Sequence, residues 1–188
     1  MITIAVVLAS TRPGRRGEAV ADWVLEHAGR RADATFELVD LAAIDLPQID
    51  EPMPPAMGRY TLPHTVAWAQ AVAKYDGYLF VTPEYNHSVP GALKNALDRV
   101  YAEWHNKAAA FVSYGVDGGV RAVEALRPIM SALQIAPVSA QVSLSMHHDF
   151  TNFTQFTPGP HQTAALDTTL TQLIAWSNAM STLRVPQA

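Results

Sequence analysis

Five short apolar runs, each followed by a stretch with helical spacing, constrain this chain more than any other feature. Residues 2–8 (ITIAVVL) are apolar throughout, as a strand must be when both of its faces are covered. Residues 17–31 then place Val20, Ala21, Val24, Leu25 and Ala28 at helical intervals. The alternation continues with strands at 35–41 (Phe36, Leu38 and Asp40 on one face), 78–82, 107–114 and 136–144. Helices are expected at 65–75 (Val66, Ala69, Val72 and Ala73 inward), 92–101, 118–133 and 166–183. Pro128 should bend or interrupt the fourth helix, and Leu166, Leu170, Leu173, Ile174 and Trp176 should form the packed face of the last. Two stretches, 45–63 with five prolines and 147–161, read as irregular. Such alternation builds an α/β fold with a parallel sheet covered on both sides. No repeat or composition break divides it, so residues 1–188 read as a single domain.

In such sheets ligands bind beyond the carboxyl ends of the strands, where the strand order reverses. The loops after the first, third and fourth strands therefore carry the chemistry. The first, Ala9-Ser10-Thr11-Arg12-Pro13-Gly14-Arg15-Arg16-Gly17, leads into a helix N-terminus, which attracts phosphate. Ser10 and Thr11 add hydroxyls, Arg12 adds a planar fork, and Gly14 and Gly17 permit close backbone approach. Neither G-x-G-x-x-G nor G-K-[ST] occurs, which favours a mononucleotide over a dinucleotide or triphosphate. The same loop also reads as an ordinary polar strand–helix turn.

The second loop, 82–91, holds Pro83, Glu84, Tyr85 and Asn86, with a stiff path, an aromatic surface and an amide. It suits the face and edge of a flat ring, or a structured turn with Glu84 solvated. The third, 113–119, combines Ser113, Tyr114 and Gly115 with Gly118 and Gly119, and fits either close approach to a ring edge or a plain glycine-rich turn.

Composition narrows the chemistry. With no cysteine there is no disulfide, thiolate metal site or cysteine nucleophile, so redox work would need a cofactor. The charge of −4 and the short Arg12, Arg15, Arg16 cluster do not make a nucleic-acid footprint. The apolar N-terminus lacks a basic leader, and no apolar run has the length of a membrane span, so a cytoplasmic location is expected. Seven histidines include the neighbours His147 and His148, but without a metal-ligand spacing no metal site is expected. No G-x-S-x-G elbow supports a serine nucleophile. Trp68, Trp104 and Trp176 read as packing residues.

The stretch Thr82-Pro-Glu-Tyr-Asn-His-Ser-Val-Pro-Gly-Ala-Leu-Lys-Asn-Ala-Leu-Asp98, with Ser10-Thr11-Arg12 and Ser113-Tyr114-Gly115, resembles the NADPH-dependent FMN reductase family from Ile4 to about Leu144. The resemblance implies a flavodoxin-like three-layer α/β/α sandwich with strand order 2-1-3-4-5. It implies FMN as cofactor, with the phosphate held by Ser10, Arg12 and the backbone of Arg15, Arg16 and Gly17. Pro83, Glu84, Tyr85 and Asn86 would line the isoalloxazine, and Ser113, Gly115 and Gly118 would meet its far edge. The implied activity is hydride transfer from NADPH or NADH through FMN to a quinone, free flavin, azo compound or metal oxyanion, with no catalytic side chain required. A homodimer or homotetramer is implied too, with 45–63 and 145–161 as candidate contacts, and the loop from His147 to Pro160 is expected to cover the site or a subunit contact. The chain departs from the family at Arg15, often serine, at His87, often tyrosine, and at Arg99, often tryptophan. A flavodoxin-type electron carrier and a non-catalytic binding protein are the alternatives; the modest charge and the Pro-Glu-Tyr-Asn loop weigh against the carrier.

Overall fold

The computed structural model describes residues 1–184. The last four positions of the expected 1–188 unit lie outside the described residues. Five parallel strands, β1 (Ile2–Leu8), β2 (Ala34–Asp40), β3 (Gly77–Pro83), β4 (Lys107–Gly115) and β5 (Ile135–Ser145), form one sheet in the order β2-β1-β3-β4-β5. Ile2 pairs with Ala34, Ile4 with Gly77, and Gly77 with Ala108. All five strands therefore end on one edge, with the reversal of order between β1 and β3.

The unbroken apolar run of β1 is explained by its neighbours. Ile4, Val6 and Leu8 point into a core with Val20 and Val24 of α1 (Gly17–Ala28) and with Leu166, Leu170 and Leu173 of α6 (Pro160–Ser181). Ala5, Val7 and Ala9 point to the opposite core. There they share space with Trp68 and Val72 of α3 (Pro63–Ala73), Leu93 and Leu97 of α4 (Gly91–Asp98), and Leu126 and Met130 of α5 (Val120–Ala132). Trp104, nearly inaccessible, sits edge-on to Trp68 and Tyr78 and donates its indole N–H to Leu97 O at 3.1 Å.

Several expectations need correction. On α3 the buried stripe is Thr65, Trp68, Ala69 and Val72, so Val66 and Ala73 face outward. On α6 the stripe passes through Ser177 rather than Trp176, which is 45% exposed. Both errors are a rotation of about one residue around a helix: apolar Val66 and Trp176 drew the reading off stripes that pass through the polar Thr65 and Ser177. Leu38 is exposed because β2 is an edge strand with incomplete cover. Pro128 does not interrupt α5: burial of Val123, Leu126 and Met130 on both sides of it outweighs its local cost.

The expected irregular stretches contain structure. A single helical turn, α2 (Leu41–Ile44), follows β2, and a 3-10 turn covers Pro55–Met57. Arg99, where the family often has tryptophan, is buried beneath this segment and donates to Asp50 Oδ1 (2.9 Å), Thr65 Oγ1 (3.0 Å) and Pro47 O. Within 147–161 a small antiparallel hairpin pairs β6 (Phe150–Thr151) with β7 (Gln155–Phe156), and α6 begins at Pro160.

At the opposite edge of the sheet, Lys107 is buried, and its Nζ donates to Val72 O (2.7 Å) and Tyr78 Oη (3.0 Å). Burial pushes its pKa down to about 7, with nearby Arg184 adding to the effect, against 10.5 for a free lysine. Between those values the unfolded chain binds the extra proton, so stability rises with pH, by up to about 1.4 kcal/mol per unit. Above pH 10 the trend reverses, because burial raises Tyr78 and the unfolded tyrosine loses its proton first. Urea unfolding at pH 7, 8 and 9 should show the rise in the native chain and its loss in Lys107→Met.

Candidate functional site

The loops after β1, β3 and β4 meet at one cleft of about 370 Å³. Arg12, Gly14, Arg15 and Arg16 line it from the first loop, Pro83, Glu84 and Tyr85 from the second, and Tyr114, Gly115 and Val116 from the third. Met146 and Phe153 complete the rim. Of the residues expected from sequence, Ser10, Gly17, Asn86, Ser113 and Gly118 stand around the cleft without lining it.

Each has a visible role in shaping it. Gly17 opens α1 because a Cβ there would lie 2.7 Å from both Leu8 Cδ1 and Tyr114 Oη. Ser10 is buried, and its hydroxyl shares a 2.8 Å hydrogen bond with Tyr85 Oη, tying the first loop to the second. Ser113 is buried too and donates to Gly118 O at 2.8 Å, so its hydroxyl braces the third loop. Asn86 and His87 have φ of 49° and 71°. With Tyr85 and Ser88 exchanging N–H to O bonds of 2.9 and 3.1 Å, they form a two-residue mirror-image turn that projects both side chains outward. Two consecutive non-glycine residues held there represent stored strain beside the cleft.

The first loop has the properties of an anion cradle. No side chain caps the N-terminus of α1, so its first N–H groups lack a side-chain acceptor. Arg12 and Arg16 are exposed, and neither pairs with a carboxylate among the described residues. Arg15 is different. Its guanidinium grips Asp40 through two 2.7 Å bonds, and also reaches Ser10 O (2.6 Å) and Glu18 Oε1 (3.0 Å). The bond to Asp40 raises the Arg15 pKa; burial pushes the Asp40 carboxyl up, but Arg15 and the backbone N–H groups of Ala42 and Ala43 together hold it below its usual range. The Arg15 side chain thus joins the loop to the end of β2, while its backbone stays within the cradle.

The Glu84 carboxylate is not solvated, although the residue lines the cleft. It is largely buried, pairs with Arg121 Nε, and accepts from Arg121 N at 3.2 Å, while its own N–H donates to Tyr114 O at 3.0 Å. Arg121, its pKa raised chiefly by the bond to Glu84, also holds Asp117 at 2.9 Å. Glu84 is therefore the clamp between the second and third loops. Tyr114 forms a buried wall of the cleft. Burial pushes its phenol pKa up, so it remains a hydrogen-bond donor through neutral pH.

Sequence reasoning missed Tyr114 as a wall, Asp40 as the anchor of Arg15 and Arg121 as the partner of Glu84; it expected the loop that carries Phe153 to cover the site or a subunit contact, without singling out Phe153 or Met146. Only Asp40 carried a local signal, as an N-cap residue at the end of a strand; its Oδ1 accepts from Ala42 N at 2.9 Å.

A second cleft, of about 460 Å³, lies beside Thr11 and is lined also by Asp45, Gln48, Gly91 and Asn95. It has a carboxylate and no basic side chain, so it suits an anion less well than the first cleft does. Among the described residues there is no group of three or more side chains suited to a metal, and no helix long and apolar enough to cross a membrane.

The family model described as NADPH-dependent FMN reductase matches residues 2–149. The chain is 41% identical over 147 residues to an NAD(P)H-dependent FMN reductase of Nectria sp, covering 73% of each chain. It is 33% identical over 156 residues to a 2-hydroxy-1,4-benzoquinone reductase of Burkholderia sp, covering 79% of this chain and 80% of that protein. The fold is similar to that of FerB, a flavoenzyme NAD(P)H:(acceptor) oxidoreductase of Paracoccus denitrificans, with a TM-score of 0.74 at 20% identity over 96% of this chain and 99% of the other.

Proposed function

The chain belongs to the NADPH-dependent FMN reductase family, and from that premise we propose that it binds FMN in the 370 Å³ cleft and passes hydride from NADPH or NADH to a quinone-type acceptor. One observation carries the reading: a single cleft has an uncapped helix N-terminus with two free arginines, and also a flat-sided turn and a glycine edge. That division matches a mononucleotide, charged at one end and flat at the other.

Arg12, Arg16 and the first N–H groups of α1 would hold the phosphate. Pro83, Tyr85 and Gly115 would contact the ring, with Asn86 presenting its amide beside it. Glu84, Arg121, Ser113 and the Arg15–Asp40 pair keep the three loops in register so that the ring seat is preformed. When bound, FMN would supply the redox chemistry, hydride transfer between the nicotinamide and the acceptor. One face of the ring would need to stay open to both substrates in turn, and no side chain would need to gain or lose a proton. The quinone as acceptor rests on the named activity of the Burkholderia relative and on family membership.

We read residues 1–188 as one unit that acts in the cytoplasm as a homodimer or homotetramer. Exposed Ile49, Met53, Met57 and Val66 supply an apolar surface for the subunit contact. Steady-state oxidation of NADPH and NADH at several quinone concentrations tests the function. Alternating use of one ring face should give parallel double-reciprocal lines. Intersecting lines would show that both substrates bind together, and FMN-loaded protein inert to both nicotinamides would favour the electron carrier.

A further inference from the structure

We propose that Phe153, at the tip of the β6–β7 hairpin, contacts the flavin ring and helps to retain it in the cleft. This rests on the FMN reading above and adds a residue from beyond the stretch matched by the family model, which ends at residue 149.

The hairpin is firmly seated at its base. Phe150 is buried, packs against Tyr114 and Phe156, and Phe156 meets Trp23 of α1 edge-on at 5.6 Å. Thr157 N donates to Asp149 O at 2.8 Å. The tip is another matter. Thr154 N bonds to Thr151 O at 3.1 Å, and the two residues between, Asn152 and Phe153, have φ of 52° and 56°. Asparagine suits the first position of such a mirror-image turn, and glycine suits the second. A phenylalanine there holds a strained backbone conformation.

That cost is not recovered by burial. Phe153 is 52% exposed, and its ring has one aromatic neighbour, His147, edge-on at 5.1 Å. Yet it lines the cleft, together with Met146 and Val116, the latter 58% exposed. These three make an apolar lip on a cleft whose first loop is basic. An aromatic that is strained, exposed and aimed at a ligand cleft gains its return only when a ligand covers it. The ligand this cleft admits has a charged phosphate for the arginines, which leaves its ring for the lip.

The test is titration of the purified full-length chain with FMN and with riboflavin, followed by flavin fluorescence, alongside thermal melts. Phe153→Ala and Phe153→Gly should each weaken both flavins by about tenfold, the scale of one stacking contact. Phe153→Gly should melt no lower than the native chain because the turn strain is relieved, which separates lost contact from lost fold. Native affinity for both flavins in the two variants, or weakening of FMN with no effect on riboflavin, would overturn the proposal. A native chain that takes up neither flavin would instead sink the FMN reading itself.

Discussion

Replacing Arg12 and Arg16 together with alanine should weaken FMN binding by on the order of a thousandfold while leaving riboflavin affinity nearly unchanged. The two guanidinium groups flank the uncapped start of α1, and neither is engaged by a carboxylate among the described residues. Each charge-assisted bond to phosphate contributes about 1.5–3 kcal/mol, and two such losses give a change of that size. Riboflavin has the ring without the phosphate and should not register it. Both side chains are exposed, so the melting temperature should move little. Arg15→Ala should behave differently: it cuts the two bonds to Asp40 and the one to Ser10 O, so stability should fall along with affinity. Fluorescence titration of each variant with both flavins, with melts in parallel, reads all of these outcomes.

Gly119→Ala should cost about 3 kcal/mol of stability, a loss of roughly 10 °C in Tm for a chain of this size. Gly119 has φ of +72°, and an added Cβ would lie 2.8 Å from Tyr114 N and 2.9 Å from Tyr114 O. Those are backbone atoms of a central strand, so the neighbour cannot move aside as a flexible side chain would. The left-handed conformation adds about 1–2 kcal/mol to the steric cost. The third loop then shifts as a unit, because Ser113, Gly115 and Gly118 are hydrogen-bonded within it. FMN affinity should fall with stability, and urea unfolding with flavin titration on the same sample would show both.

The layers of the fold were legible because a parallel strand buried on both faces leaves a run of apolar residues that little else produces. Ile2–Leu8 and Gly77–Pro83 show this plainly. The three loops were legible because small, hydroxylated and stiff residues are conspicuous between apolar runs. The partners that hold the loops in place were not. Arg15 and Asp40 are 25 residues apart, and Glu84 and Arg121 are 37 apart; each pair meets only because the strand order brings separate strand ends together. Ser113 was expected at a ring edge from its position in the motif, but burial turns its hydroxyl into the loop. The loop around Phe153 was legible as a cover for the site or a subunit contact, but Phe153 itself was not, since a turn with an aromatic in the glycine position is recognised only once the backbone is seen.

The most direct test of the central claim is the half-reaction of the native chain without an acceptor. The protein is loaded with FMN, freed of excess flavin, and mixed anaerobically with NADPH or NADH while the visible flavin absorbance is recorded. On this account FMN stays with the protein, one of the two nicotinamides bleaches it, and a quinone restores it. Failure to take up FMN, or bound FMN that neither nicotinamide bleaches, would contradict the account.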